Sequence, residues 1–274
     1  MGIFLLVKKK QPVLLALSIF LGLLVTQLFS WLLPLQDNLR VTVLDVGQGQ
    51  SILLQSDGKT FLVDCGGDDG EDAADVTAGM LLSQGVARLD GIIVTHYDED
   101  HVGGVEHLLS RIQTDRLILP DVEDTSEVAQ NLRNYRKSNV CLIRDDTQYT
   151  FGETKITIYA PFSRESGNEN SLCILFQREN YDILITGDRG EIGESMLLSN
   201  HDLPQVELLV AGHHGARTST SEALLQKVSP QQTAISVGED NRYGHPAKAT
   251  LERLERIGCA ILRTDIEGTI IFRR

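Results

Sequence analysis

The sequence predicts an α/β protein in which two sheet layers are flanked by helices. Short apolar strands alternate with helical segments from about residue 40 to the end of the chain. Residue types that bind metals directly follow several of these strands. A long uncharged run precedes the whole arrangement, so we expect a membrane segment followed by a folded domain.

The uncharged run is Val13–Leu33, close to the ~20 residues that span the core of a bilayer. Lysines occupy positions 8–10 before it, and Trp31 lies near its far end, so the positive-inside rule places the amino terminus in the cytoplasm. No A-x-A site follows, which favours an uncleaved anchor over a cleaved signal peptide. A buried soluble helix is the other alternative, but the run has no polar face. We predict a single-pass cell-membrane anchor in residues 1–37 and an extracytoplasmic domain in 38–274.

The overall charge argues against one class of partner. With a net charge of −13 and a pI near 4.9, the chain shows no broad basic surface for duplex nucleic acid. An acidic protein can still bind a phosphodiester through metal ions and a local basic groove, because net charge bears mainly on solubility and association.

The cysteines do not form a metal site by their spacing. None belongs to a C-x-x-C pair, so a thiolate zinc site is not expected. We expect them to be small buried core residues, with a disulfide left open if the domain lies outside the cell. They are Cys65, Cys141, Cys173 and Cys259.

The elements of the domain follow from hydrophobic pattern and turn residues. Two glycines within 45–49 suit a tight, hairpin-like turn between the first two strands. The predicted strands are 40–44, 51–55, 60–64, 90–95, 181–187 and 207–211. The predicted helices are 75–84, about 105–112 and 249–257.

A cluster of potential metal ligands follows the strand at 90–95. The segment T-H-Y-D-E-D-H-V-G-G, residues 95–104, holds two imidazoles and two carboxylates. A hydrolytic metal centre needs nitrogen and oxygen ligands held rigidly, and the strand before this loop supplies the rigidity. Neighbouring ligands can point to opposite sides, so one loop can serve two ions. The alternative is chance clustering on a polar loop. The four residues are His96, Asp98, Asp100 and His101.

Two later strands end in the same way. The strand at 181–187 runs into Asp188, and the strand at 207–211 runs into His213 and His214 between two glycines. Ligands at the ends of several strands are what a site at one edge of a sheet requires. A turn-capping aspartate and a structural histidine pair are the alternative interpretations.

Together these motifs resemble the metallo-β-lactamase superfamily, and more narrowly the C-terminal β-lactamase-like domain of ComEC-type DNA-uptake channels. The resemblance covers about residues 40–274 and implies an αββα sandwich with metals at the edge of two sheets. The motifs are L-D-V-G-Q-G (44–49), V-D-C-G-G (63–67), the cluster at 95–104, N-E-N-S-L (168–172), L-I-T-G-D (184–188), G-H-H-G-A-R-T-S-T-S (212–221) and Y-G-H-P (243–246).

The resemblance implies a site for two divalent metal ions, Zn²⁺ or Mn²⁺. Asp188 would bridge the ions, and His214 is preferred to His213 as a ligand. The implied ligands are His96, Asp98, Asp100, His101, Asp188 and His214. The implied supporting residues are Asp45, Asp64, Asn170 and Ser171.

The resemblance also suggests catalytic and substrate-binding roles. Asp100 or His213 would orient the nucleophile, and His245 would contact a phosphate or the leaving group at the mouth of the site. A hydroxyl-rich loop after the histidine pair could hold a phosphate, although a plain polar loop is the alternative. The residues expected to do so are Arg217, Thr218 and Ser219.

Three positions depart from the family pattern. Asp98 replaces a histidine of the broader superfamily, which favours harder metals and makes Mn²⁺ plausible beside Zn²⁺. Gln50 replaces the acid that ComEC-type domains usually carry. Residues 168–171 hold no histidine where other members have a ligand, so one ion would be held weakly.

These observations predict a binuclear metal-dependent hydrolase, a phosphodiesterase or nuclease acting on single-stranded DNA during ComEC-like uptake. Its partners would be that strand or another phosphodiester, the membrane, and other components of a DNA-uptake channel. One alternative is a metallohydrolase for another phosphoester, such as cell-wall phosphorylcholine. The other is a non-catalytic DNA-binding module of a split channel, although 5% aromatic residues predict no obvious base-stacking platform.

Overall fold

The computed structural model describes residues 2–32, 39–136 and 139–274. The chain divides into two compact units, Met1–Asn38 and Leu39–Arg274. The predicted boundary between residues 37 and 38 lies outside the described residues.

The first unit is described by one helix, α1, Gly2–Leu32. The predicted membrane segment Val13–Leu33 falls on it, except for Leu33, which lies outside the described residues. Within the described part of the chain, no helix combines the length and the apolar character that crossing a bilayer needs. The predicted anchor is therefore not supported by the structure.

The second unit contains two mixed sheets, built from short strands of the kind that the sequence predicts. Its strands are β1 Leu39–Val43, β2 Ile52–Ser56, β3 Lys59–Val63, β4 Arg88–Leu89, β5 Gly91–Ile93, β6 Gln113–Thr114, β7 Leu117–Pro120, β8 Val140–Ile143, β9 Thr147–Phe151, β10 Thr154–Tyr159, β11 Cys173–Arg178, β12 Tyr181–Ile185, β13 Leu208–Val210, β14 Gln232–Ile235, β15 Ala260–Arg263 and β16 Ile270–Arg273. Its helices are α2 Gly70–Ser83, α3 Glu99–Val102, α4 Val105–Arg111, α5 Glu127–Asn134, α6 Glu191–Asn200, α7 Glu222–Val228, α8 Lys248–Arg256 and α9 Thr264–Glu267.

Each of the two large sheets combines antiparallel and parallel pairs. In the described residues, the first sheet has the order β16-β1-β2-β3-β5-β7-β8 and the second has the order β15-β14-β13-β12-β11-β10-β9. The pairs from β3 to β8 and from β12 to β15 are parallel. Parallel neighbours carry their carboxyl ends to the same edge, so the residues that follow these strands gather there.

Alternating side chains build three apolar layers. In β2, Ile52 and Leu54 belong to the cluster between the two sheets, whereas Leu53 belongs to the cluster that includes α2 and α4. A third cluster joins the outer face of the second sheet to residues of α6, α7 and α8. The result is the predicted αββα sandwich.

The ligand segment is more helical than expected. The predicted strand at 90–95 is shorter, and the loop after it turns into the four-residue helix α3, in which the backbone N–H of His101 donates to the carbonyl of Asp98 at 2.9 Å. Asp100 and His101 therefore lie on one helical turn. The helix predicted at 75–84 begins earlier, at Gly70, because Asp69 caps it by accepting hydrogen bonds from the next turn.

The prediction of buried cysteines is confirmed for three of the four and wrong for Cys141. All four are free, and three of them are buried. Cys141 is only partly covered.

Candidate metal centre

The site is organised around Asp64, which follows β3 and is fully buried. One carboxylate oxygen accepts from the Thr95 backbone at 2.7 Å. The other lies 2.7 Å from the Thr95 hydroxyl, 2.8 Å from His101 Nδ1 and 2.8 Å from Gln50 Nε2. Asp64 thus ties the end of β3 to the ligand segment, and its support of a bound metal stays a prediction.

Three histidines are held in the same tautomer, because the Nδ1 of each ring has a hydrogen-bond acceptor. His101 Nδ1 donates to Asp64, and His214 Nδ1 donates to the carbonyl of Ser236 at 2.9 Å. His96 Nδ1 lies 3.0 Å from the Thr95 hydroxyl, which has given its proton to Asp64 and so must accept. The Nε2 atom of each neutral ring is therefore left as a lone-pair donor.

These Nε2 atoms lie close to one another and to carboxylates. His101 Nε2 and His214 Nε2 are 3.2 Å apart, His101 Nε2 is 3.0 Å from Asp188 Oδ1, and His214 Nε2 is 3.3 Å from Asp100 Oδ2. Among the residues that the structure describes, the buried Nε2 of His96 has no hydrogen-bond partner. Such a concentration of lone pairs and negative charge fits a cation, which would satisfy them together.

Two groups of ligand atoms are close enough to hold an ion. One group is His96, His101 and Asp188, and the other is Asp100, His101 and His214. They share His101, so the two positions adjoin each other. Within the described residues these are the groups in which three such atoms lie within 4.8 Å of one another.

The electrostatic environment of the ligand cluster also favours a bound cation. Burial lowers the pKa of His101, but the charges of Asp188 and Asp64 more than offset this and raise it well above its ordinary value. Burial raises the pKa of Asp100, but a hydrogen bond with His214 and the charge of His101 hold it at about 2. Asp188 is likewise held well below its usual range by the histidines, against the effect of burial. Metal binding requires deprotonated ligands, so the two carboxylates are ready to bind, whereas His101 would release a proton when a cation takes its place.

Asp98 and Asp188 occupy different environments. Asp98 is 58% exposed at its side chain and lies 3.7 Å from His96 Nε2, at the margin of the cluster. Asp188 is 3% exposed, and its backbone N–H donates to the Ser171 hydroxyl at 3.3 Å. Ser171 thus supports Asp188, whereas Asp98 remains a predicted ligand at the solvent side.

The histidine pair divides into one buried and one accessible residue. His214 is buried among the ligands, whereas His213 is 31% exposed with its Nε2 at 3.6 Å from Asp188. Both have positive φ, 51° and 53°, which is strained for residues with a side chain. His245 packs edge-on against His213, with ring centroids 5.6 Å apart. The structure therefore brings His213 and His245 beside the ligand cluster.

The loop predicted to bind substrate mainly holds the histidine turn in place. Ser219 is fully buried and its hydroxyl donates to the carbonyl of Gly212 at 2.6 Å, so its predicted contact with substrate is corrected. Thr220 accepts from the Gly212 N–H at 3.1 Å. Arg217 and Thr218 are exposed, and the described contacts join neither side chain to the ligand cluster.

Two predicted supporting residues lie outside the cluster. Asp45 is exposed, and its side chain accepts from Gly47 N–H within the turn after β1. Asn170 accepts from the backbone of Phe162 and Ser163 at 3.0 Å each, so it shapes its own loop rather than the metal site.

Sequence reasoning missed several contributors. Thr95 and the carbonyl of Ser236 orient Asp64 and two histidines. Gln50, already recognised in the sequence as a departure from the family pattern, donates to Asp64 at 2.8 Å. Arg189 is fully buried and donates to the carbonyl of Ser171 at 2.7 Å, next to the backbone of Asp188. Its position directly after Asp188 in the chain was the available signal, whereas a backbone carbonyl leaves no trace in the sequence.

A family model agrees with this geometry. The model of the metallo-beta-lactamase superfamily matches residues 44–126, the segment that contains Asp64 and the first ligands. Over this segment the chain is therefore similar to the metallo-β-lactamase superfamily, as its motifs predicted. The metallo-β-lactamase fold implies divalent metal ions, and the histidine and aspartate groups described above are suited to bind them.

Curated relatives within the superfamily include competence proteins, as the resemblance predicted. The chain spans about a third of the length of these relatives. They are ComE operon protein 3 of Bacillus subtilis (27% identical over 261 residues, 85% of this chain and 33% of the relative), Recombination protein 2 of Haemophilus influenzae (31% over 232 residues, 84% and 28%) and Competence protein ComA of Neisseria gonorrhoeae (29% over 238 residues, 85% and 32%).

Two solved structures share the fold at low sequence identity. The metallo-β-lactamase fold protein YhfI of Bacillus subtilis has a TM-score of 0.59 at 13% identity, over 87% of this chain and 100% of that one. CmlA, a diiron β-hydroxylase of Streptomyces venezuelae, has a TM-score of 0.57 at 14% identity, over 87% and 54%. These likenesses show the fold alone, since it hosts different chemistries.

Proposed function

We propose that this protein is a metal-dependent phosphodiesterase that cleaves single-stranded DNA during ComEC-like DNA uptake. The observation that carries the proposal is the convergence of three Nε2 atoms, each with its Nδ1 held by an acceptor, on the carboxylates of Asp100 and Asp188. The competence relatives support DNA as the substrate.

Most residues of the site would hold cations, and some of them also face the substrate. The residues that would hold divalent cations, Zn²⁺ or Mn²⁺, are His96, Asp100, His101, Asp188 and His214, with Asp98 completing the site at its exposed side. The cations would supply Lewis-acid activation of water and of the phosphate.

Two accessible groups are placed to handle protons. Asp100 is 31% exposed at its side chain and ionised, so it can orient an attacking water from the solvent side. Burial and the neighbouring His213 lower the pKa of His245, so at neutral pH this imidazole is uncharged and able to accept a proton. Its buried Nδ1 has no hydrogen-bond partner within the described residues.

The test is cleavage of labelled single-stranded DNA by the purified full chain, loaded with Mn²⁺ or Zn²⁺, with bound metal measured on the same sample. An Asp100→Ala/His101→Ala variant should lose bound metal and cleavage together. An Asp45→Asn variant changes an exposed aspartate outside the cluster and should keep both. Bound metal without cleavage of any strand would reject the nuclease.

A second candidate function is favoured by the charge of the cleft beside the metal site. Its lining includes Glu99, Glu239 and Asp240 in addition to Asp100, which would attract an ammonium group. A phosphodiester that carries such a group, like phosphorylcholine, would suit this charge. Cleavage of p-nitrophenyl phosphorylcholine in preference to DNA would establish this alternative, and the absence of bound metal would favour a non-catalytic DNA-binding module.

The cellular location is a further part of the proposal. It is supported by the sequence of Val13–Leu33 and the lysines before it, from which we infer an anchor in the cell membrane and residues 38–274 outside. Protease added to intact cells stripped of their wall should then digest the hydrolase unit. Complete protection, with digestion only after lysis, would place it in the cytoplasm.

A further inference from the structure

A cleft adjoins the metal centre, and among the described residues that line it one side chain is cationic. Its volume is about 490 Å³, within the range of small-molecule sites. Its lining includes the predicted ligand Asp100 together with Arg242 and Tyr243. The other charged groups of the lining are all acidic: Asp68, Glu99, Glu239 and Asp240.

Asp68 and Asp100 act on Arg242 through their charges rather than through a direct contact. Within the described residues, no carboxylate forms an ion pair with it, although it lines the same cleft. Its guanidinium instead lies 4.9 Å from the centre of the Tyr243 ring, and Nη2 donates to the Tyr243 hydroxyl at 2.7 Å. This charge is exposed and held in place by a neighbouring ring, so it is available to an anion.

Tyr243 continues a row of rings that begins at the ligands. His213 lies 3.6 Å from Asp188, His245 packs against His213, and Tyr243 stacks beside His245 with centroids 5.7 Å apart and planes inclined by 24°. Tyr243 nevertheless remains 53% exposed. A flat ring thus lies at the cleft, two aromatic neighbours away from the reacting position.

The segment that carries the ring is held rigidly. The side chain of Asn241 accepts from the backbone of Tyr243 at 3.2 Å and of His245 at 3.0 Å. It also donates to the carbonyls of Gly238 at 3.0 Å and His245 at 2.6 Å. A site that is ordered before the ligand arrives costs less entropy on binding.

We propose that Tyr243 and Arg242 form a nucleotide subsite for the strand being cut. The ring stacks on one unpaired base, and the guanidinium binds the phosphate next to the one that is hydrolysed. A base in a duplex is already stacked and paired, so this subsite selects single strands. The inference rests on the proposed function and adds the residues that determine its preference for unpaired nucleotides.

The acidic groups limit the size of the subsite. Asp68 and Glu99 would repel further phosphates, whereas Arg242 is the cation available for one. We therefore expect a single nucleotide to be recognised on this side of the cut. The low overall aromatic content predicts no extended stacking platform, but one ring is enough to stack on a single base.

The experiment uses the metal-loaded full chain and single-stranded oligonucleotides in which one abasic site is moved step by step across the cut. Cleavage and equilibrium binding, by fluorescence anisotropy, are measured for each. Tyr243→Ala should raise KM and Kd by about tenfold or more on the intact strand, with kcat little changed. Tyr243→Phe, which keeps the ring, should retain most of the affinity.

At one position, an abasic site should raise the Kd of the wild type as much as the Tyr243→Ala substitution does on the intact strand. With the abasic site at that position, the Tyr243→Ala variant should bind no more weakly than it binds the intact strand. Arg242→Gln should weaken binding both to the intact strand and to the strand that lacks the base stacked on Tyr243. The matched control is Arg136→Gln, since Arg136 lies 5.5 Å over the ring of Tyr135 outside the cleft and should be silent.

Equal losses for wild type and Tyr243→Ala at every abasic position would overturn the subsite while leaving the nuclease intact. Base-dependent binding without any cleavage would reject the nuclease and keep the subsite. Tighter binding of p-nitrophenyl phosphorylcholine than of DNA, lost in Tyr243→Ala, would assign the ring to an ammonium group and overturn the inference.

Discussion

Asp64 acts on the metal site through His101. Its carboxylate accepts from Nδ1 at 2.8 Å and thereby keeps the lone pair on Nε2. Asp64→Asn should weaken metal affinity about 10- to 100-fold, because the amide no longer enforces that tautomer. Competition with a chelator would measure it, with Asp45→Asn as a matched exposed control. Unchanged affinity in Asp64→Asn would show that His101 is oriented by other contacts.

Glu194 should contribute a pH dependence of stability that is separate from the metal site. Burial raises its pKa to about 7, although hydrogen bonds from Ser221 and Thr220 oppose this. Because the folded pKa lies above the ordinary value of 4.5, the folded protein binds more protons between pH 4.5 and 7. The contribution of Glu194 to the free energy of unfolding is therefore largest below this window and is lost as the pH rises through it.

Glu194→Gln should remove that slope, since an amide does not titrate. The variant should also be less stable at low pH, because Gln can accept only one of the two backbone N–H groups, at 2.6 and 2.8 Å, that the carboxyl group faces. Urea unfolding at several pH values measures both effects, with the exposed Glu191→Gln on the same helix as control. Persistence of the wild-type slope in Glu194→Gln would refute this assignment.

For individual residues, the sequence could predict the side chains that are able to bind a metal ion. His96, His101, Asp188 and His214 come together because each follows a strand at the same edge. The sequence could not predict that the carbonyl of Ser236 orients His214, since every residue has a backbone carbonyl. It also could not distinguish Ser219 as a structural hydroxyl, because burial depends on the packing of the whole loop.

Among the elements, β16 closes one edge of the first sheet by pairing with β1. Ile270 lies opposite Val43, is 5% exposed and belongs to the core between the sheets, whereas Ile271 is 41% exposed. Ile270→Ala should lower the free energy of unfolding by about 2–3 kcal/mol. Ile271→Ala, its neighbour on the other face, should cost much less. Equal losses in urea unfolding would mean that this edge strand does not contribute its inner face to stability.

The predicted elements differ from the observed ones mostly at their ends. The strands were recognisable because their apolar residues are consecutive or alternate. The helix α3 was missed because Glu99–Val102 is a single turn with no apolar repeat of its own. The order of strands in the sheets could not be predicted from the sequence, because pairs such as β3 and β5 join segments that a helix separates in the chain.

For the whole molecule, the unit Leu39–Arg274 should fold independently. A fragment of residues 39–274 should unfold cooperatively. A bound cation should raise its free energy of unfolding by about 2.7 kcal/mol when its concentration is a hundred times its Kd. Thermal unfolding with and without Mn²⁺ or Zn²⁺ tests this. A His101→Ala/Asp188→Ala variant should show no such rise, and an equal rise would place the stabilising ion elsewhere.

The ligands reach the centre from both halves of the sandwich: His96 and His101 follow a strand of the first sheet, whereas Asp188 and His214 follow strands of the second. A cation held by all four would therefore act as a clasp between the sheets. Any opening that separates them would have to release the ion first. Core amides on both sides should then exchange their hydrogens more slowly in the loaded protein, and the ion should lengthen the lifetime of the native state.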